Sequence, residues 1–327
     1  MIWLRLKPIG PSTFAVAEAS DKERAGWVRV SRRPSWPVAG TLYNPAFWNE
    51  EKPLRLSVIL VHYNETPALR RCLKAIDDQN LDKKDFEVIV ADDGTMGREG
   101  DLLREAVCEY SRRMHVRLVV NPREDPKFIR NCATVSNAGF AAALGRVVVR
   151  MSAHIIPASP HSLGLQLAMH EGIGFGRLKG GLVSLPEGLS KQVVGGADPE
   201  PFFRLLKPGL YAPTAIFLED VLRIGGMSQC FPGWGGEDTL FYLYLDRAGV
   251  GISAVMPELK YVHLWHRIRT ADQGILSYNI YQQLKRIPGN IAIHSLPASI
   301  DPYRMDPDVK VELFRGADLT RFTLCKP

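Results

Sequence analysis

No stretch of this 327-residue chain is apolar over the ~20 residues that a membrane-spanning helix needs. The longest apolar runs, LSVILV at 56–61 and RVVVRM at 146–151, fall far short, and the opening MIWLRLKPIG has neither a signal-peptide apolar core nor a cleavage site. These absences predict a soluble, cytoplasmic protein with no transmembrane segment. Cysteine is scarce. Cys72, Cys108, Cys132, Cys230 and Cys325 are odd in number, widely spaced and free of any C-x-x-C, which argues against a zinc knuckle and a disulfide framework and predicts core thiols. No internal repeat or low-complexity segment is present. The excess of positive charge is small: 41 Lys and Arg against 35 Asp and Glu give +6, spread along the chain. It favours an anionic partner but does not separate a nucleotide-sugar from nucleic acid or acidic lipid. Hydrophobic residues make up 46%, enough for a packed core.

The pattern predicts three regions. Residues 1–53 read as a small β-rich N-terminal extension and linker, from short alternating pieces broken by Gly, Pro and charge. Residues 54–270 alternate strand and helix. RLSVILVHY and DFEVIVADDGT are apolar runs of the kind buried on both faces of a parallel sheet, and TPALRRCLKAIDDQN follows the first as a helix with Thr66 as N-cap and Pro67 at the first helical position. DLLREAVCEYSRR, HVRLVVN, FIRNCATVSNAGFAAALG and RVVVRMSAHIIP continue as helix, strand, helix, strand. Residues 160–235 read as irregular, and 271–327 as a tail packed on the domain. The fold class is α/β, a Rossmann-like, mostly parallel central sheet flanked by helices, whose ligands belong at the carboxyl ends of the strands.

Chemistry-bearing residues gather at those ends. Tyr63, Asn64 and Glu65 follow the first strand, and Asp92 with Asp93 follow the second; they offer planar and carboxylate partners to a nucleotide, although the same residues suit a helix entry and a turn. GWGGED gives Trp234 as an apolar face for a sugar ring, Gly235 and Gly236 for close backbone approach, and Glu237 and Asp238 at a helix start. His154 closes Ser152-Ala153-His154 after the fourth strand, and KYVHLWHRIRT supplies His263 and His266. Arg150 is odd inside an apolar strand.

In order and spacing, LSVILVHYNE, EVIVADDGT, the Asn-x-Gly helix, ALGRVVVRMSAHIIP and RIGGMSQCFPGWGGED resemble glycosyltransferase family 2 and its GT-A relatives, with features like the WGGED chondroitin polymerases and galactosyltransferases. The resemblance spans about residues 54 to 270. It implies an inverting hexosyl- or N-acetylhexosaminyl-transferase that moves a sugar from a nucleotide donor, UDP-linked, to an acceptor hydroxyl. Asp238 is then the general base and Glu237 a sugar-holding carboxylate. Tyr63, Asn64, Glu65, Asp92, Asp93, Arg130, Ser152 and Ala153 bind the donor, with Asp93 the surer of the pair at the base or ribose. Relatives place Asp-x-Asp or Asp-x-His on a metal; here Ser152 replaces the first carboxylate, while His154 and His263, and less strongly His266, stay as ligands. Imidazole donors favour Mn2+ over Mg2+ as the divalent cation. Arg267 and Arg269 offer a metal-free way to neutralise the same charge. The acceptor is left open among a glycan, a lipid-linked sugar, a peptide and a modified nucleic-acid base. Two other readings stand beside transfer: a non-catalytic nucleotide-sugar-binding homologue, motivated by Ser152, and a nucleic-acid-directed protein, motivated by the positive balance and by Arg32, Arg33 and Trp36.

Overall fold

The computed structural model describes residues 7–10, 13–15, 39–42, 54–121, 132–174, 176–206, 213–231, 235–266, 271–292, 297 and 299. Near the start, β1 (Lys7–Gly10) pairs antiparallel with β2 (Thr13–Ala15), and β3 (Ala39–Leu42) runs antiparallel to β6 (Val116–Val120) at an edge of the main sheet. Arg32, Arg33 and Trp36 lie outside the described residues.

Four consecutive parallel strands form the heart of the sheet. β4 (Leu56–His62), β5 (Phe86–Asp92), β6 and β7 (Val147–Ser152) lie in the order β6-β5-β4-β7. Their side chains divide by parity, as a two-faced buried sheet requires. Leu56, Val58 and Leu60 of β4 enter one core, whereas Ile59 enters the other. The first core is covered by α1 (Thr66–Asp77), α2 (Gly97–Ser111) and α4 (Ser162–Ile173), the second by α3 (Cys132–Ala142), α7 (Leu218–Arg223) and α8 (Glu237–Arg247). On α3, a Cβ at Gly139 would come within 2.4 Å of Ile59 Cγ2, so only glycine lets this helix lie so close to β4.

Beyond β7 the sheet continues through β10 (Ala215–Phe217), β9 (Arg177–Ser184), β11 (Ile252–His263) and β8 (Ile155–Pro157). Here β9 and β11 are parallel, while β10 opposes both its neighbours and β8 opposes β11. The stretch 160–235 is therefore not irregular as its sequence suggested. It holds α4, β9, α5 (Glu187–Val194), α6 (Glu200–Leu205), β10 and α7. Most of these elements are three to eight residues long, too short for periodicity to announce them.

Two local expectations are also corrected. Thr66 is the first residue of α1 rather than its cap; Glu65 takes the cap position without a side-chain capping bond, and Thr66 Oγ1 donates to Glu99 Oε2 at 3.0 Å. Cys72 is buried, but Cys132 and Cys230 are half-buried and Cys108 is exposed, because it falls off the Leu103, Ala106, Val107, Tyr110 stripe that α2 buries. After the sheet, α9 (Ala271–Leu284) packs on α8. No helix among the described residues is long and apolar enough to cross a membrane.

Candidate active site

The sheet topology brings three imidazoles to one point. Strand β8 follows His154 directly and pairs with β11 so that Ile155 opposes His263, while Leu264 N donates to His154 O at 2.9 Å. His154 therefore lies 4.7 Å from His263 and 4.2 Å from His266 between ring centroids, and their nitrogens approach closely enough to share one ion. Burial, with His154 and His266 beside it, pushes His263 down to about 3, so its ring is neutral and its lone pair is free for a cation. The third imidazole, His266, is a full member of the group.

Behind these rings, His154 Nδ1 lies 2.9 Å from Glu65 Oε2 and 3.1 Å from Ser152 Oγ. This explains the uncapped start of α1: the Glu65 carboxylate is turned toward the histidine instead. Ser152 bonds within the cluster. Ala153 is buried and ties the turn to β4 through its N–H to Val61 O at 2.9 Å.

The expected nucleotide residues divide. Asn64 adopts a left-handed backbone, φ 51°, and its N–H donates to Thr95 Oγ1 at 3.0 Å. Asp92 is consumed internally: it meets His62 Nδ1 at 2.9 Å and accepts the Thr95 N–H at 2.7 Å and hydroxyl at 2.6 Å. Burial opposes its ionisation, but these bonds outweigh burial and hold the carboxyl below its ordinary range. Asp93 accepts from Asn121 Nδ2 at 3.2 Å, and Tyr63 is half-buried beside it in the same strand-end group. Arg130, Trp234, Arg267 and Arg269 fall outside the described residues.

At the start of α8, Gly235 and Gly236 have φ 110° and 86°, and a Cβ at Gly236 would meet Tyr281 of α9 at 2.9 Å. Glu237 is buried and turns back to accept the Gly235 N–H at 2.7 Å. Burial, with Asp238 next to it, pushes the Glu237 carboxyl up to about 7. Asp238 points the other way, its side chain 53% exposed, and Arg150 of β7 reaches it at 2.7 Å. Asn137 of α3 fixes the approach to this turn, its amide exchanging two 2.8 Å hydrogen bonds with the backbone of Met227.

Residues 57–174 match the family model described as glycosyl transferase family 2, and residues 213–267 match the one described as the N-terminal domain of galactosyltransferase. The first half of the sheet is thus similar to glycosyl transferase family 2, and the segment after it to the galactosyltransferase domain. The first match covers the β4 to α4 half of the sheet with Glu65 and His154, and the second covers α8, His263 and His266. Validoxylamine A glucosyltransferase of Streptomyces hygroscopicus subsp. jinggangensis (strain 5008) is 27% identical over 216 residues, 56% of this chain and 49% of the relative. The corresponding protein of subsp. limoneus is likewise 27% identical, with 46% of its length covered. The chain thus spans about half the length of the curated relatives it matches. Among solved structures, S. aureus TarS 1-349 in complex with UDP superposes with a TM-score of 0.52 at 16% identity, covering 71% of this chain and 64% of that one. GalNAc-T7 with UDP, GalNAc and Mn2+ gives 0.52 at 16% identity, covering 72% and 48%. These likenesses establish the GT-A fold.

Sequence alone missed the internal use of Asp92, the role of Asn137, and the partner of Arg150. For Arg150 there was a signal: a charged residue interrupting an apolar strand at the centre of a sheet requires a partner.

Proposed function

We propose that this chain transfers a sugar, with inversion, from a UDP-linked donor to an acceptor hydroxyl. The convergence of His154, His263 and His266 at the end of the strand whose Arg150 meets Asp238 carries this reading. In it, Asp238 removes the proton of the acceptor hydroxyl, and its half-exposed position at the start of α8 suits that contact. Glu237, whose carboxyl burial pushes up to about 7, holds its proton below that pH and donates to or accepts from a sugar hydroxyl while the Gly235 N–H keeps it in place. Trp234 supplies the apolar face for the sugar ring. Asp93, Asn64 and Tyr63 hold the nucleotide, and Asp92 shapes the turn that presents Asp93.

The three imidazoles fit a divalent cation of borderline character, Mn2+ before Mg2+, because neutral nitrogen donors are poor partners for the harder ion. A cation bound there supplies positive charge that steadies the departing nucleoside diphosphate. Glu65 orients His154, and Ser152 completes the bond network on the same ring nitrogen. The glucosyltransferase name of the curated relatives makes UDP-glucose the first donor to test, and Mn2+ with UDP in GalNAc-T7 supports the same cofactor and nucleotide. The acceptor class stays open to glycans, lipid-linked sugars, peptides and modified bases.

The test is a panel of UDP-, GDP- and dTDP-sugars with small acceptors, with Mn2+ and with EDTA. Turnover of a UDP-sugar should require Mn2+, and Asp238→Asn should lower it at least roughly 1000-fold while UDP binding changes less than about threefold. Normal turnover by the Asn variant would sink the base assignment.

A further inference from the structure

Arg150 is expensive where it stands. It interrupts the apolar run of a central strand, beside Phe140, Val148, Ile216 and Phe241, and moving a guanidinium out of water there is unfavourable before any partner is counted. A leucine or methionine would extend the core instead. All three nitrogens are spoken for. Nε donates to Ser136 Oγ at 2.9 Å and Nη2 reaches Cys132 Sγ at 2.7 Å, both on α3; Nη1 donates to Asp238 Oδ1 at 2.7 Å, 88 residues away in sequence. Ser136 is itself fixed by its hydroxyl bond to Cys132 O at 2.7 Å, and burial pushes the Cys132 thiol up to about 12, so it meets the cation as a neutral thiol.

The geometry points to Arg150 as the positioning residue of Asp238. This inference rests on the reading of Asp238 as the base. Two bonds from α3 fix the guanidinium plane, and the third nitrogen is thereby aimed at one oxygen of the carboxylate. Asp238 sits in the first turn of α8 with half its side chain in solvent, where an unheld carboxylate samples several rotamers. With Oδ1 held, Oδ2 is the oxygen presented to an acceptor. The arrangement selects one geometry in advance, and errors of an ångström at a reacting group cost about 100-fold in rate. Glu237 cannot take this partner, because its carboxyl is folded back onto Gly235. The pair is thus asymmetric by construction: one carboxyl is closed on its own turn, and the other is held outward by a cation from the sheet.

The test uses the full chain with Mn2+ and UDP-glucose, water serving as acceptor, and compares Arg150→Met, Arg150→Lys and Ser136→Ala with the parent. Arg150→Met should lower kcat roughly 10- to 100-fold, with KM for UDP-glucose and the affinity for UDP within about threefold of the parent. Arg150→Lys should recover most of the loss, and Ser136→Ala, which frees one edge of the guanidinium without touching Asp238, should cost kcat a few-fold. In an Asp238→Asn background Arg150→Met should add nothing, since the two act as a unit. Should Arg150→Met melt too early to assay, the Lys and Ala variants carry the comparison. Parental kcat in Arg150→Met, or in both Lys and Ala variants when Met does not fold, overturns the positioning role alone. A parent that turns over no donor overturns the transfer reading and this inference with it.

Discussion

Among the described residues, two histidine–carboxylate pairs look alike and sit in opposite surroundings. His62 meets Asp92 and His154 meets Glu65, each through Nδ1 at 2.9 Å, each joining the end of one parallel strand to its neighbourhood. The first pair is shut in, with side chains 0% and 1% exposed, and its carboxylate has no spare oxygen, since Thr95 takes what His62 leaves. The second is open, at 16% and 29%, and its imidazole faces two more. Similar chemistry makes a strut in one place and, on the proposed reading, a binding group in the other, and the difference is what surrounds the second ring nitrogen.

Three perturbations separate strut from site. The largest effect is expected at the closed pair: Asp92→Ala strands a buried imidazole and two Thr95 donors, and should cost about 3–5 kcal/mol in urea unfolding. A loss below 1 kcal/mol would mean that the pair is not a strut. Next is Glu237, whose raised carboxyl makes the folded state bind its proton more tightly than the unfolded chain. Its contribution is fully present below the ordinary carboxyl value of 4.5 and is lost as pH rises through about 7. The parent should therefore shed on the order of 3 kcal/mol across that window, and Glu237→Gln should flatten that part of the curve. Parallel pH profiles for the two proteins would refute this. The smallest effect on stability belongs to the open pair: Glu65→Gln should change it by less than about 1 kcal/mol yet weaken Mn2+ binding, read by calorimetry, roughly 10- to 100-fold. Unchanged Mn2+ affinity would place Glu65 outside the site.

Strands β4 and β5 were legible because seven-residue apolar runs bounded by turn residues admit few other structures, and the α1 and α2 stripes followed from periodicity. The glycine-rich β9, RLKGGLVS, was not, because its partner β11 lies more than seventy residues on and local composition gives no hint of that pairing. The site followed the same rule. Motif order named His154, His263, Glu237 and Asp238, while the contacts that give each its duty are register properties: His263 opposite Ile155, Asp238 opposite the side chain of Arg150. Asp92 shows the converse. Its sequence context admitted both a ligand and a turn, and only the structure shows the hydrogen bonds from Thr95 by which it builds the turn.

Strand β7 acts as a gauge block. Arg150 and Ser152 lie two residues apart on it, about 6–7 Å of pleated backbone, and the turn to His154 starts where it stops. The span from the carboxylate that would meet an acceptor to the imidazoles that would meet a diphosphate is therefore set by a strand hydrogen-bonded on both sides within the sheet. On the proposed reading, a change of acceptor or sugar made in the surrounding loops leaves that length untouched.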